Sequence, residues 1–136
     1  MQQCRVLLVD DNAPIRTALR RLLTHYHGIR IVGEASDGQQ AIELMSLCQP
    51  HVVLMDINMP RMNGIEATSV IRNCWKEAVV IGLCALENPQ HTKAILGAGA
   101  EAVISKHELN DLYSTIKKAC VNRALLCGAD HHEQSI

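Results

Sequence analysis

Four residues carry the chemistry this sequence offers: Asp10, Asp11, Asp56 and Lys106. The two adjacent acids close the apolar run Cys4-Arg5-Val6-Leu7-Leu8-Val9. Asp56 closes His51-Val52-Val53-Leu54-Met55, and Lys106 stands just past Ala102-Val103-Ile104. Any one of these acids alone reads as a solvated loop carboxylate. Three acids and a lysine, all at the ends of apolar runs, form a different pattern. Gathered together, the carboxylates would repel one another, and a hard cation would resolve that repulsion. Mg²⁺ takes oxygen ligands and commonly one or two carboxylates with phosphate oxygens and water. A carboxylate can also act as a nucleophile towards phosphorus, giving an aspartyl phosphate. A cation and a lysine would then neutralise charge on the transferring group.

The rest of the chain must bring these side chains together. Five apolar runs alternate with five stretches of helical spacing. The strand runs are Cys4 to Val9, Ile29 to Ala35, His51 to Met55, Val79 to Leu83, and Ala102 to Ile104. The first helix carries Ile15, Ala18, Leu19, Leu22, Leu23 and Tyr26 on one face, with Asn12 as its N-cap and Pro14 in its first turn. A second opens at Asp37-Gly38 and stops at Pro50, a third covers Gly64 to about Asn73, and a fourth covers Pro89 to Leu96. A last one carries Leu109, Leu112, Tyr113, Ile116, Ala119 and Cys120. Strands alternating with helices imply a parallel sheet covered on both faces, with strands that read as continuously apolar. Ligands of such sheets bind outside the carboxyl ends of the strands, where the four residues stand.

Composition narrows the classes. A chain of 136 residues with 48% hydrophobic residues suits one globular domain. Thirteen basic residues against fourteen acidic ones give a net charge of −1, which offers neither a nucleic-acid stripe nor a polybasic membrane anchor. No apolar run approaches a membrane span and no secretory leader is visible, so a cytoplasmic protein is expected. Six scattered cysteines, Cys4, Cys48, Cys74, Cys84, Cys120 and Cys127, are expected to be reduced, small and apolar. The tail after about Arg123 has no period. Cys127, His131, His132 and Glu133 do not make a structural metal set, and a flexible segment over 124–136 is expected.

Val9-Asp10-Asp11, the segment Asp56-Ile57-Asn58-Met59-Pro60-Arg61-Met62-Asn63-Gly64, Ala98-Gly99-Ala100 and Lys106 together resemble the receiver domain of bacterial response regulators. The likeness covers roughly residues 4 to 122, within a receiver domain read as 1–123. It implies a flavodoxin-like (βα)5 fold with a doubly wound parallel sheet in the order 2-1-3-4-5. It implies Asp56 as phosphoacceptor, Asp11 as a direct Mg²⁺ ligand with Asp10 assisting, and the backbone carbonyl of Asn58 as a further ligand. Lys106 is implied to pair with Asp56 and then with the phosphoryl oxygens, while Pro60 and Gly64 shape the loop after the acceptor. The implied partner is a sensor histidine kinase or phosphotransfer protein, and a homodimer is a family expectation. The step from Lys106 to His107, without proline, resembles receivers that precede a helix-turn-helix DNA-binding domain.

Two positions depart from the pattern. Cys84 stands where the family has Thr or Ser, and a thiol is a weak hydrogen-bond donor. Val103 stands where the family has Tyr or Phe. Both usual parts of the switch that reads phosphorylation are therefore missing. A pseudo-receiver acting by protein contact alone is the alternative this leaves open. Cys84 near a lysine and a cation could also be a reactive thiol of lowered pKa. A phosphatase with an aspartyl nucleophile needs D-x-D, but the first run ends Asp10-Asp11-Asn12. A flavin carrier needs a phosphate cradle after the first strand, where two carboxylates would repel it. A dedicated enzyme is thus not expected.

Overall fold

Five short runs of apolar residues, most of them buried on both faces, pair edge to edge as parallel strands in the order β2-β1-β3-β4-β5. The structure, a computed structural model, describes residues 3–59 and 62–121. Its elements are β1 (Cys4–Val9), α1 (Ala13–Thr24), β2 (Ile29–Ala35), α2 (Gly38–Cys48), β3 (Val52–Asp56), α3 (Gly64–Cys74), β4 (Val79–Cys84), α4 (Pro89–Gly97) and β5 (Ala102–Ser105). A single 3-10 turn, Leu109–Asp111, leads into a last helix, α5, over residues 112–121. The flavodoxin-like arrangement expected from the resemblance is the one observed. Among the described residues no helix is long and apolar enough to cross a membrane.

Side chains of alternating strand positions feed two cores. One lies between the sheet and α2, α3 and α4, and includes Leu7, Val53, Met55, Val80, Met45, Ile71 and Ile95. The other lies between the sheet and α1 and α5, and includes Val6, Leu8, Leu54, Ile81, Leu23, Leu112 and Ile116. Each large side chain fully buried this way contributes about 1.5–3 kcal/mol.

The helices start at the edge of the sheet where the strands end, and each of the first four is capped there by a side-chain oxygen. Asn12 accepts from the Ile15 amide, Asp37 from Gln40, Asn63 from Glu66, and Asn88 from both Gln90 and His91. Such caps satisfy amides that have no partner within the helix. They also fix where each βα loop turns, and therefore where the acids in those loops stand.

Tyr26 and Leu109, expected on the first and last helices, lie past the end of α1 and in the 3-10 turn before α5. Three broader expectations also change. β2 is not continuously buried: it lies at the sheet edge, with Arg30 exposed and most of its other residues only half-buried. An edge strand keeps one flank in solvent, so an apolar run there does not imply two covered faces. β3, β4 and β5 reach one residue further than their apolar runs, because pairing belongs to the backbone: Asp56 opposes Leu83, and Cys84 opposes Ser105. The cysteines are not all free thiols. Cys4 and Cys120 are joined by a disulfide across a Cα–Cα distance of 6.3 Å. That span lies within the roughly 4.4–6.8 Å a disulfide can bridge. Their sequence separation of 116 hid the pairing from any local reading. The roles expected for Pro60 and for the tail over 124–136 fall outside the described residues.

Gln49, which ends α2, is a non-glycine residue in the left-handed region (φ 47°). A side chain costs about 1–2 kcal/mol there, part of which glycine returns through the entropy of the unfolded chain. Gln49→Gly is therefore expected to raise stability by about 0.5–1 kcal/mol, read as a higher urea midpoint with an unchanged slope.

Candidate functional site

The residues picked out in the sequence converge at the carboxyl edge of β1, β3 and β5. One oxygen from each of Asp10, Asp11 and Asp56 lies within 4.8 Å of the others. Asp10 is fully buried and Asp56 nearly so, while Asp11 is exposed at the mouth. The Lys106 ammonium reaches across from the end of β5, 2.6 Å from Asp10 Oδ2 and 3.2 Å from Asp56 Oδ1. The sequence reading paired Lys106 with Asp56; the lysine in fact bridges two acids and lies closer to Asp10.

The electrostatics follow from burial. Loss of water raises the Asp56 carboxyl to about 7, and the charge of Asp10 pushes the same way. Lys106 and the Asn58 amide, 3.3 Å from Asp56 Oδ1, oppose the rise without cancelling it. Lys106 is itself held above its usual range: burial lowers it, but its contacts with the two carboxylates outweigh that. One ammonium thus serves two buried carboxylates. Three carboxylate oxygens within 4.8 Å of one another, with a single ammonium 2.6 Å from Asp10 Oδ2 and 3.2 Å from Asp56 Oδ1, are what a hard cation's oxygen shell would complete. The donor set fits Mg²⁺.

Backbone contacts fix the acids in place. Asp10 accepts the Asn12 amide at Oδ1 and donates its own amide to Ala35. Its carbonyl accepts from Arg16, whose guanidinium also pairs with Glu34 of β2 at 3.0 Å. Arg20 holds the same Glu34 at 2.7 Å, and the two arginines keep that carboxyl below its usual range against a desolvation that raises it. This brace was missed in the sequence, where Arg16 and Glu34 are ordinary helix and strand residues with nothing to connect them. The Asp56 loop is closed by Gly64, whose amide donates to Ile57 at 2.9 Å. A Cβ at Gly64 would collide with the Asp56 carbonyl oxygen, so the close approach requires glycine. Asn58 is exposed beside the acids.

Cys84 is buried at the end of β4, and its carbonyl accepts the Lys106 amide at 2.7 Å. Burial raises its thiol above the usual range, Glu87 adds to the rise, and Lys106 only opposes it. The reactive thiol of lowered pKa considered from the sequence is therefore not supported. Val103 is half-buried against the core under α4.

Residues 6–117 match the model of the response regulator receiver domain. The chain belongs to that family. Relatives of this receiver include the nitrate/nitrite response regulator NarL of Escherichia coli K12, 31% identical over 91% of this chain and 58% of its own length. PdtaR, a transcriptional regulatory protein of Mycobacterium tuberculosis, is 40% identical over 85% of this chain and 56% of its own. The receiver thus spans little more than half the length of either. Among solved structures, the response regulator domain of Thermotoga maritima CheB superposes with a TM-score of 0.81 at 31% identity, covering 87% of this chain and 96% of that one.

The raised Asp56 carboxyl links the receiver's stability to pH. Below about pH 4 folded and unfolded chains both keep the proton, so burial of this group costs nothing. Between about 4 and 7 the folded state retains the proton that the unfolded state releases, so stability falls as pH rises. In chelator-treated buffer, Asp56→Asn is expected to gain on the order of 1–4 kcal/mol over wild type at pH 8 and close to nothing at pH 4, measured by urea denaturation.

Proposed function

We propose that this receiver is the phosphoacceptor of a two-component phosphorelay, taking a phosphoryl group from a sensor histidine kinase or phosphotransfer protein onto Asp56. The observation that carries this reading is the meeting of Asp56 with Asp10, Asp11 and the Lys106 ammonium at one strand edge. A carboxylate oxygen of Asp56 attacks phosphorus, forming a P–O bond. The bond from phosphorus to the donor's imidazole nitrogen breaks, and that nitrogen keeps the electron pair. Lys106, already 3.2 Å from Asp56, is placed to pair with the arriving phosphoryl oxygens. Asp10, Asp11, Asp56 and the backbone carbonyl of Asn58 would hold Mg²⁺. The ion, when bound, supplies positive charge against the transferring group. Gly64 and the Arg16–Glu34 brace keep the acids from shifting as that charge changes.

The receiver unit is assigned to residues 1–123, with 124–136 as a tail, and the setting to the cytoplasm. It works as a signalling acceptor rather than as a dedicated enzyme, and it touches neither nucleic acid nor membrane itself. Cys84 and Val103 favour an atypical response. The buried thiol is a poor donor to a phosphoryl oxygen, and Val103 lacks the reach of an aromatic ring. The pseudo-receiver reading rests on the same two residues, and the complete set of Asp10, Asp11, Asp56 and Lys106 weighs against it.

Incubation with acetyl phosphate is expected to add one phosphoryl group to the intact mass, only with Mg²⁺ and not in Asp56→Asn. If beryllofluoride, a stable phosphoryl mimic, also fails to bind, phosphotransfer is excluded and the pseudo-receiver reading stands. With the mimic bound, amide spectra are expected to move at the βα loops of the site and little along β4, α4 and β5. A large shift through those three elements would show that the usual switch survives the loss of both its side chains.

A further inference from the structure

The pairing of Cys4 with Cys120 joins the two ends of the described chain. Cys4 opens β1 and is buried at the foot of the core beneath α1 and α5. Cys120 sits in the last turn described for α5, half-buried against the same core. The other described cysteines are unpaired. Cys48 donates to the Val32 carbonyl at 3.3 Å, Cys74 is exposed on α3, and Cys84 is buried beside the acids.

The bond matters because of what otherwise holds α5. Leu112, Ile116 and Ala119 pack it on the sheet, and Tyr113 stacks on Tyr26 beyond the end of α1 at 3.9 Å between ring centroids. These contacts are apolar or aromatic and belong mostly to the first two turns. The last turn described for α5 has the disulfide. Terminal elements open most readily unless tied down, and a cross-link closing so long a stretch removes much freedom from the unfolded chain. The site also lies at the opposite end of β1 from Asp10 and Asp11, about 20 Å away along a six-residue strand. Its chemistry is therefore separate from the acidic cluster and does not depend on the phosphoryl reading.

We propose that Cys4 and Cys120 form a reversible redox modification site, oxidised by low-molecular-weight disulfides, that clamps α5 to the start of β1. The more accessible Cys120 thiolate attacks one sulfur of the small disulfide. That S–S bond breaks, and one small thiolate leaves with the electron pair. The Cys4 thiolate then attacks the Cys120 sulfur of the mixed disulfide and expels the second small thiolate. Two cysteine thiols are oxidised, one small disulfide is reduced to two thiols, and the two cysteine protons pass to the leaving thiolates. A reducing thiol pool runs the sequence backwards.

The test exposes the reduced full chain to oxidised glutathione, quenches and unfolds it in acid denaturant, blocks the remaining thiols with an alkylating agent, and reads intact mass and linked peptides. Four of the six cysteines are expected to alkylate, with Cys4 and Cys120 in one linked peptide. The melting temperature of the oxidised form is expected to rise by roughly 6–12 °C. Amide exchange over residues 112–121 is expected to slow by at least tenfold. Cys4→Ala should stop at a glutathione adduct on Cys120, and Cys120→Ser should form neither the link nor that adduct. Six alkylated cysteines after oxidation, or a link through another cysteine, would overturn the site. A Cys4–Cys120 link that leaves exchange in α5 unchanged would overturn the clamp.

Discussion

Two buried carboxylates share one ammonium, and most of the local structure at the carboxyl edge serves to make that arrangement tolerable. Asp10 and Asp56 are drawn out of water within reach of each other, which would be costly without Lys106 between them. The compensation is incomplete: the Asp56 carboxyl is raised to about 7 by burial and by the charge of Asp10. A site left short of positive charge is predisposed towards a cation.

The fold holds the deficit in place by means that are individually ordinary. Parallel strands deliver their ends to one edge, and four Asn or Asp caps begin the helices there. Gly64 lets its helix start against the Asp56 carbonyl, and Gly38 donates to the Met62 carbonyl from the neighbouring helix. On the far side, Arg16 and Arg20 clasp Glu34 and tie the Asp10 backbone to the edge strand. Half-exposed ion pairs of this kind add little stability by themselves. Here they determine where a backbone carbonyl points, which matters for position more than for energy.

The edge of the sheet at β4 and β5 is built differently: Cys84 is buried at the end of β4, and Val103 on β5 is half-buried against the core. At the foot of the sheet the ends of the described chain meet through Cys4 and Cys120. The conformational freedom of α5 is thereby made to depend on thiol chemistry, at a place the acidic cluster does not touch.

The sequence determined the five strands, the starts of the first four helices and the four charged residues, because each has a local signature: apolar runs, capping side chains, and acids placed where a run stops. The strand order came from the family likeness carried by the Asp56 segment, since periodicity does not say which strand lies beside which. Tertiary structure alone decided the rest. That Lys106 lies nearer Asp10 than Asp56 depends on how β5 sits across the sheet from β1, and no spacing encodes a distance between strand ends. The Arg16–Glu34 brace and the exposed flank of β2 arise from neighbours remote in sequence. Cys84 looked activated beside a lysine, but burial outweighs that one charge, and burial is a property of everything packed around it. Cys4 and Cys120 looked like unrelated apolar residues because their contact exists only once β1 and α5 have closed on the same core.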